Sequence, residues 1–438
     1  MKKYMLSLLL LSLVWTSDQI PASAQEKPIL IKNATLHTVS HGTLENYDLL
    51  FENGIITRIE DQIVSSPEMD VVDGKGKHVY PGLIATTSTI GLNEVSAVRA
   101  SVDINEVGNF TPEVRANVSY NPDSEHIPVA RSNGVLFANV VPIGGRIPGQ
   151  SSLMMMDGWT WEDATYNHPT AMHINWPNMR VNTDPNAKKS IAEQEEDRRK
   201  QIWELDDILD RTRQYEKIMS NTTTVTPNDL PRDIGLEALL PYIHGEKPFF
   251  IHAYDARDIE AAVHWSINHK VRMVIIGGWD SWKLTSLLKE YDIPVIVDRT
   301  LRLPWRRYSS YDAAYTLPMK LYQAGVQFAI SPGVMQSAHI RDLPNHAAMA
   351  SAFGLPREEA LRSITLSAAE ILGVSDQIGS LDVGKDATLF IADGDILEIV
   401  SHVEQAYILG TKTDMSDRHK TLYKKYQEKY NQLGILGD

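Results

Sequence analysis

The chain has no cysteine among its 438 residues. Structural disulfides and a lipid-modified cysteine are therefore excluded, so the folded state must be stabilised by its buried core. A chain of this length, with 43% hydrophobic and 22% charged residues, can bury a core large enough for that. These values predict an ordinary globular protein with one large domain and a smaller one.

Positive charge and long apolar runs are also scarce. The 42 Lys and Arg residues against 56 Asp and Glu give a formal net charge of -14. This balance argues against nucleic acid or an anionic membrane surface as a partner. The apolar run at residues 5–15 is too short to cross a bilayer, and no later segment is long and apolar enough. We therefore expect no membrane span.

The first residues have the pattern of an export signal. Lys2 and Lys3 precede the apolar run, and Ala22-Ser23-Ala24 has the small residues of a cleavage site. We expect residues 1–24 to be removed after Ala24, so that Gln25 begins the mature chain. A protein with such a signal is periplasmic or secreted.

Short β-like runs lie near both ends of the remaining chain. They are residues 29–36, 47–51, 55–59, 387–392 and 406–409. Asn53-Gly54 favours a tight hairpin between two of them. The N-terminal runs are too few to stand alone and need strand partners. We predict a small composite β domain, built from residues 25–80 plus 376–415, that brackets a central domain.

The middle of the chain, residues 81–375, alternates apolar strands with helices. Strands are predicted at residues 249–252, 271–276, 294–297 and 328–330, and helices at 256–269 and 281–291. Such alternation predicts a parallel sheet covered on both faces. A closed (β/α)8 barrel and an open doubly wound sheet both fit this pattern. Charged helices are predicted at 188–220 and 412–430, a loop at 221–231, and a helical tail at 416–438.

Several motifs resemble the amidohydrolase superfamily, and in particular its imidazolonepropionase-like branch. They are Tyr80-Pro81-Gly82-Leu83-Ile84, Gly91-Leu92-Asn93-Glu94-Val95, the glycine-containing segment 144–152, the segment 252–259 that starts His252-Ala253-Tyr254-Asp255, and Gly379-Ser380-Leu381-Asp382-Val383-Gly384-Lys385. The resemblance implies a (β/α)8 TIM barrel with a composite β-sandwich domain. It also implies hydrolysis of C–N (non-peptide amide) bonds in small cyclic or peptide-derived substrates.

The resemblance further implies a zinc site at the C-terminal ends of the barrel strands. Four of its five ligand and acid positions hold other residues. The five positions fall on Thr87, Thr89, His252, Gly277 and Gly333. Tyr254 also replaces the second imidazole of the branch's usual fifth-strand motif. A single imidazole does not hold zinc at useful affinity, so we expect no cofactor unless the site is rebuilt for Zn.

Other residues are candidates for a rebuilt or substitute site. Those considered for catalysis beside His252 are Tyr254, Glu94 and Asp298, and those considered for ligand binding are Arg299, Arg306, Arg307 and His339. Trp305 to Tyr308 place two cations beside two aromatic rings, a combination that can grip a carboxylate. The glycines at 144–149 predict a plain turn. No Gly-x-Ser-x-Gly sequence occurs, so no serine nucleophile elbow is expected.

Two functions therefore stay open. The first is a non-catalytic homologue that binds a small molecule, forms a homo-oligomer or pairs with an active amidohydrolase. The second is a working hydrolase of small cyclic or peptide-derived amides with a reduced or rebuilt site around His252. Nothing in the sequence supports a purely structural or adhesive module.

Overall fold

The computed structural model describes Pro21 and residues 25–220, 232–335 and 337–435. Apart from Pro21, the predicted export signal lies outside these residues, as does the loop predicted at 221–231. The strands are β1 (Ile29–His37), β2 (Thr43–Glu52), β3 (Ile55–Glu60), β4 (Asp70–Asp73), β5 (His78–Pro81), β6 (Leu83–Ser88), β7 (Val135–Val140), β8 (Gly149–Gln150), β9 (Ser152–Met155), β10 (Thr165–Asn167), β11 (Met172–Asn175), β12 (Phe249–Ala253), β13 (Met273–Gly277), β14 (Val295–Asp298), β15 (Phe328–Ser331), β16 (Leu389–Ala392), β17 (Val403–Ile408) and β18 (Thr411–Lys412).

The α-helices lie between and after these strands. They are α1 (His126–Arg131), α2 (Trp161–Ala164), α3 (Ile191–Ser220), α4 (Ile234–Ile243), α5 (Ala256–His269), α6 (Thr285–Glu290), α7 (Ala313–Ala324), α8 (Leu343–Ala352), α9 (Arg357–Ser363), α10 (Leu366–Leu372) and α11 (Arg418–Gln432). Within the described ranges, no helix combines the length and the apolar character that crossing a membrane requires.

One sheet joins the two ends of the chain. Its strand order is β18-β17-β16-β5-β1-β2-β3, with β4 paired beside β1. β5 pairs in parallel with β1 on one side and antiparallel with β16 on the other, which links the N- and C-terminal segments. Phe51 and Tyr407, one from each segment, pack edge to face at 5.0 Å in its core. The sheet thus contains strands from both ends of the chain, and the domain bounds 25–80 plus 376–415 stay a prediction.

The central strands form the barrel. β11 to β15 pair in parallel and in chain order, and β6 pairs in parallel with β7. The Thr87 hydroxyl, near the end of β6, lies 2.5 Å from the Ser331 hydroxyl at the end of β15. On the other side, the Ser151 N–H donates to the Ala171 carbonyl at 3.0 Å. These contacts join the two groups of strands, which favours the predicted (β/α)8 barrel over an open sheet.

One part of the barrel departs from the parallel pattern. β8 and β9 run antiparallel to their neighbours β11 and β7. Only residues 141–151 separate β7 from its partner β9. A parallel connection needs a crossover of a dozen or more residues, so this short segment returns antiparallel.

Helix α5 shows how local sequence sets an element. The Asp255 carboxylate caps it by accepting the backbone N–H groups of Arg257 and Asp258 at 2.9 and 3.1 Å. Lys270 ends it in the left-handed conformation. The buried face packs on the barrel, and each large apolar side chain there contributes roughly 1.5–3 kcal/mol. The helix spans residues 256–269, as predicted.

Other helix predictions need adjustment. The stretch at 281–291 is a 3₁₀ turn (Ser281–Lys283) followed by α6. The charged helix α3 begins at Ile191 and buries a narrow stripe that includes Leu205 and Leu209. The tail helix α11 begins only after the Asp417 cap, because Lys412 belongs to β18, and it buries none of its residues.

Candidate functional site

A cavity of about 200 Å³ opens at the C-terminal ends of the barrel strands. It lies where β12, β13, β14 and β15 end. Its walls are Tyr254, Ile276, Trp279, Asp298, Arg299, Gly333, Val334 and Met335. Barrels of this type place their sites at this face because the strand ends bring loops from distant parts of the chain together.

The expected sixth-strand ligand position is Gly277, at the end of β13. Its backbone has φ +101°, where an L side chain is strained, and a Cβ atom there would lie 2.5 Å from the Tyr254 ring carbon Cδ1. The Tyr254 ring therefore fills the space that a histidine at 277 would use. Burial and the nearby Asp298 raise the pKa of the Tyr254 phenol to about 12.

The expected acid position, Gly333, is filled in the same way. It has φ +97°, and a Cβ atom there would lie 2.8 Å from Arg299 Cδ and 2.9 Å from Asp298 Oδ1. Asp298 and Arg299, which follow one another at the end of β14, therefore occupy this space. A side chain at 333 would displace them.

The two threonines at the expected first-strand positions bond to the barrel itself. Thr87 shares its short hydrogen bond with Ser331, and Thr89 donates to the Val334 carbonyl at 3.1 Å. Both threonines are buried. Their hydroxyl groups hold β6 and the residues just after it against the end of β15 and the segment that follows. Hydroxyl groups are also poor zinc ligands.

His252 has a partner that the sequence analysis missed. Its Nε2 lies 3.0 Å from Nδ1 of His173, a fully buried residue on β11. Burial lowers the pKa of His252 to about 4 and that of His173 well below its usual value, so both rings are neutral at pH 7. The sequence offered one signal for this residue. Side chains alternate between the two faces of a strand, so in Met172–Asn175 the side chains of His173 and Asn175 share one face.

The donor groups at this mouth do not fit zinc. Across the described ranges, no three His, Cys, Asp or Glu side chains lie close enough together to hold a metal ion. A zinc site needs three or more such ligands. The two imidazoles contact each other, and the spaces beside Gly277 and Gly333, where the resemblance expects ligand and acid side chains, hold a phenol ring and a guanidinium stem.

The charged groups that line the cavity are instead the Asp298 carboxylate and the Arg299 guanidinium, and Arg302 lies next to them on the ring of Trp279. Burial raises the pKa of Asp298, although Arg299 and Arg302 oppose that shift. Arg299 Nε lies 3.7 Å from Asp298 Oδ1, and the Arg299 backbone has φ +35°, an uncommon conformation for a bulky residue. The Arg302 guanidinium stacks 4.4 Å from the Trp279 ring centre, and Trp305 packs on that ring at 4.2 Å.

The other arginines proposed for ligand binding lie outside this group. Arg306 forms ion pairs with Asp280 at 2.8 Å and Asp255 at 3.7 Å, so its charge is already neutralised. These pairs tie the loop after β14 to the loops after β12 and β13. Arg307 is exposed, and the structure gives it no ion pair with any described residue.

Two further candidates, His339 and Glu94, have structural contacts away from His252. His339 is exposed and lies 3.4 Å from the Asp342 carboxylate. The backbone carbonyl of Glu94 lies 3.1 Å from the ring of His126. No hydrogen bond or ion pair among the described residues joins His339, Glu94 or His126 to His252.

Comparisons with known proteins agree with this geometry. Residues 321–416 match the model of the Amidohydrolase family. The amidohydrolase tasK of Hapsidospora irregularis is 23% identical over 436 residues, covering 91% of this chain and 42% of that protein. The chain thus spans less than half the length of this curated relative.

Solved structures show the same fold. An amidohydrolase from Thermotoga maritima MSB8 has a TM-score of 0.77 and 25% identity, covering 88% of this chain and 99% of its own. A prolidase complexed with N-methylphosphonate-L-proline has a TM-score of 0.53 and 18% identity, with 88% and 99% covered. A Xaa-Pro dipeptidase with bound methionine has a TM-score of 0.52 and 15% identity, with 88% and 100% covered.

The fold and the position of the cavity define a TIM-barrel protein with a composite β domain. The family match over residues 321–416, the curated relative and the Thermotoga maritima structure all support the amidohydrolase superfamily for this chain. The imidazolonepropionase-like branch stays a prediction.

Proposed function

We propose that this chain is a non-catalytic member of the superfamily, whose barrel mouth binds a small molecule without zinc-dependent C–N hydrolysis. One observation carries the proposal. At Gly277 and Gly333, the volumes in which ligand and acid side chains would stand are filled by Tyr254, Asp298 and Arg299. The site has not merely lost ligands, because other side chains have replaced them.

The cavity supports binding as the retained activity. It combines aromatic walls with buried charged groups, which is the usual composition of a small-molecule site. Two solved structures of the same fold hold a small ligand: the prolidase holds N-methylphosphonate-L-proline, and the Xaa-Pro dipeptidase holds methionine. They support a ligand of similar size for this chain. Fold alone does not establish the chemistry, so the proposal depends on the site residues.

Metal analysis tests the proposal directly. The full chain, purified after incubation with zinc and dialysis, should hold far less than one zinc per chain, and EDTA should leave its melting temperature unchanged. His252→Ala should hold no less zinc than the unsubstituted chain. One equivalent of zinc that disappears in His252→Ala would overturn the proposal.

A second function is kept because of the His173–His252 pair. A neutral imidazole can act as a general base, and the pair could support metal-independent hydrolysis of small cyclic or peptide-derived amides. Turnover of an amide panel should then fall in His252→Ala and His173→Ala but not in His339→Ala, where the exposed ring lies elsewhere. Equal turnover in all three variants would remove this alternative.

Export and assembly belong to the same proposal. The signal at residues 1–24 supports a periplasmic or secreted protein, and the motif at 252–259 supports the imidazolonepropionase-like branch. N-terminal sequencing of the exported protein should begin at Gln25. Mass measurement in solution, alone and with an active amidohydrolase from the same cell, tests the homo-oligomer and partner-subunit forms.

A further inference from the structure

The buried carboxylate of Asp298 lacks a full hydrogen-bond complement. It lines the cavity with its side chain only 13% exposed. Arg299 Nε, at 3.7 Å, is beyond hydrogen-bond distance, and the indole N–H of Trp279 approaches the carboxylate without completing a hydrogen bond. Burying a carboxylate without donors is costly, so a ligand that brings N–H groups to Asp298 would be stabilised there.

Positive charge exceeds negative charge beside this carboxylate. Arg302 is partly buried on the Trp279 ring and has no ion pair with any described residue, and its Nε has no hydrogen-bond partner. The Arg299 Nε likewise has no hydrogen-bond partner in the described part of the chain. Two guanidinium groups therefore face one carboxylate, which leaves one cation for an anionic group of a ligand.

The neighbouring charges do not change this balance. Arg306 and Lys283 both bind Asp280, at 2.8 and 3.0 Å, and Arg306 also approaches Asp255. This outer set of two cations and two carboxylates is neutral by itself. The charges left over belong to the inner group, in which Asp298 and Arg299 line the cavity and Arg302 packs on the ring of Trp279, which also lines it.

From these contacts we infer that the ligand of the barrel mouth is a small zwitterion, a free α-amino acid or a short peptide. Its ammonium group binds Asp298, and its carboxylate binds Arg302 and Arg299. The rings of Tyr254 and Trp279 form the wall for its side chain. This inference rests on the proposed binding function and assigns the chemical class of the ligand.

The test compares probes that differ by one charge. Isothermal titration calorimetry at pH 7 would use the full chain with L-phenylalanine, its N-acetyl derivative and its amide, and with the same three forms of L-alanine. For at least one of the two amino acids, the free zwitterion should bind at least tenfold more tightly than its N-acetyl derivative, which lacks the ammonium, and than its amide, which lacks the carboxylate.

Variants assign each charge to its residue. Asp298→Asn should abolish the preference for the zwitterion over the N-acetyl form, and Arg302→Gln should abolish the preference over the amide. Arg307→Gln, an exposed arginine without an ion pair to any described residue, is the matched control and should bind like the unsubstituted chain. Circular dichroism and the melting temperature establish that each variant is folded.

Equal binding of the zwitterion and the N-acetyl form to the unsubstituted chain would overturn the inference and indicate a plain anion site. Absence of binding by every probe at millimolar concentration would overturn it too. Neither result would show that the chain binds zinc. The zinc measurement tests the proposed function separately, so failure of this inference is distinguishable from failure of that proposal.

Discussion

Replacing Gly277 with alanine puts a methyl group where the Tyr254 ring already lies. The added Cβ would stand 2.5 Å from Tyr254 Cδ1, closer than any ordinary contact, on a backbone with φ +101°. The conformational cost is about 1–2 kcal/mol, and overpacking adds about 1–3 kcal/mol. Gly277→Ala should therefore lower the free energy of unfolding by about 2–5 kcal/mol.

A matched control separates the two costs. Gly384 has φ +93°, and an added Cβ there would meet no atom within 4 Å, so Gly384→Ala should show only the conformational cost of about 1–2 kcal/mol. Combining Gly277→Ala with Tyr254→Ala removes the clash. The double variant should then be about 1–3 kcal/mol more stable than the sum of the two single effects predicts.

Urea denaturation measures these differences through the transition midpoint at constant slope. Additive effects in the double variant would mean that Tyr254 does not fill the space beside position 277. Equal losses in Gly277→Ala and Gly384→Ala would lead to the same conclusion. Either result would refute the argument that other side chains have replaced the metal ligands.

Three further outcomes follow from the contacts. Thr87→Val should cost about 1–2 kcal/mol of unfolding free energy in urea, because its bond to Ser331 holds the first strand against the last. Burial lowers the pKa of His346 from 6.5 to about 4, and its Nδ1 accepts the Leu301 N–H at 3.2 Å. At this residue the unfolded chain binds more protons between these pH values, so the contribution of His346 to stability should fall by up to about 3 kcal/mol from pH 6.5 to pH 4. The loss measured for His346→Asn should be smaller by that amount. Arg306→Gln should lower the free energy of unfolding by roughly 2 kcal/mol, because it breaks the partly buried ion pairs of that arginine, and an unchanged urea midpoint would contradict a structural role.

Local sequence was sufficient where an element is decided by its own residues. The helix at 256–269 matches the prediction because the Asp255 cap, the apolar spacing and the end at Lys270 all lie within it. The strands at both ends were predicted from short apolar runs and the Asn53-Gly54 turn. Their joining into one sheet was also expected, because few strands cannot bury their apolar faces alone.

Elements governed by connection length were less predictable. The antiparallel return of residues 149–155 follows from the short link after β7, which the strand pattern alone does not reveal. The helix predicted at 412–430 starts late, because pairing of Lys412 with Tyr407 extends the sheet instead. Long-range pairing outweighed helical propensity at that end.

Residue identities and their spacing predicted the superfamily and the alternation of strands and helices, because both depend on residues that lie near one another in the chain. They also predicted that positions 87, 89 and 277 stand where the resemblance expects imidazoles. What stands in place of those imidazoles became visible only in the folded barrel. Pairing of β11 with β12 brings His173 beside His252 across 79 residues of chain, and the Tyr254 ring fills the space beside Gly277. Such contacts depend on which strand ends meet, and no local pattern encodes that.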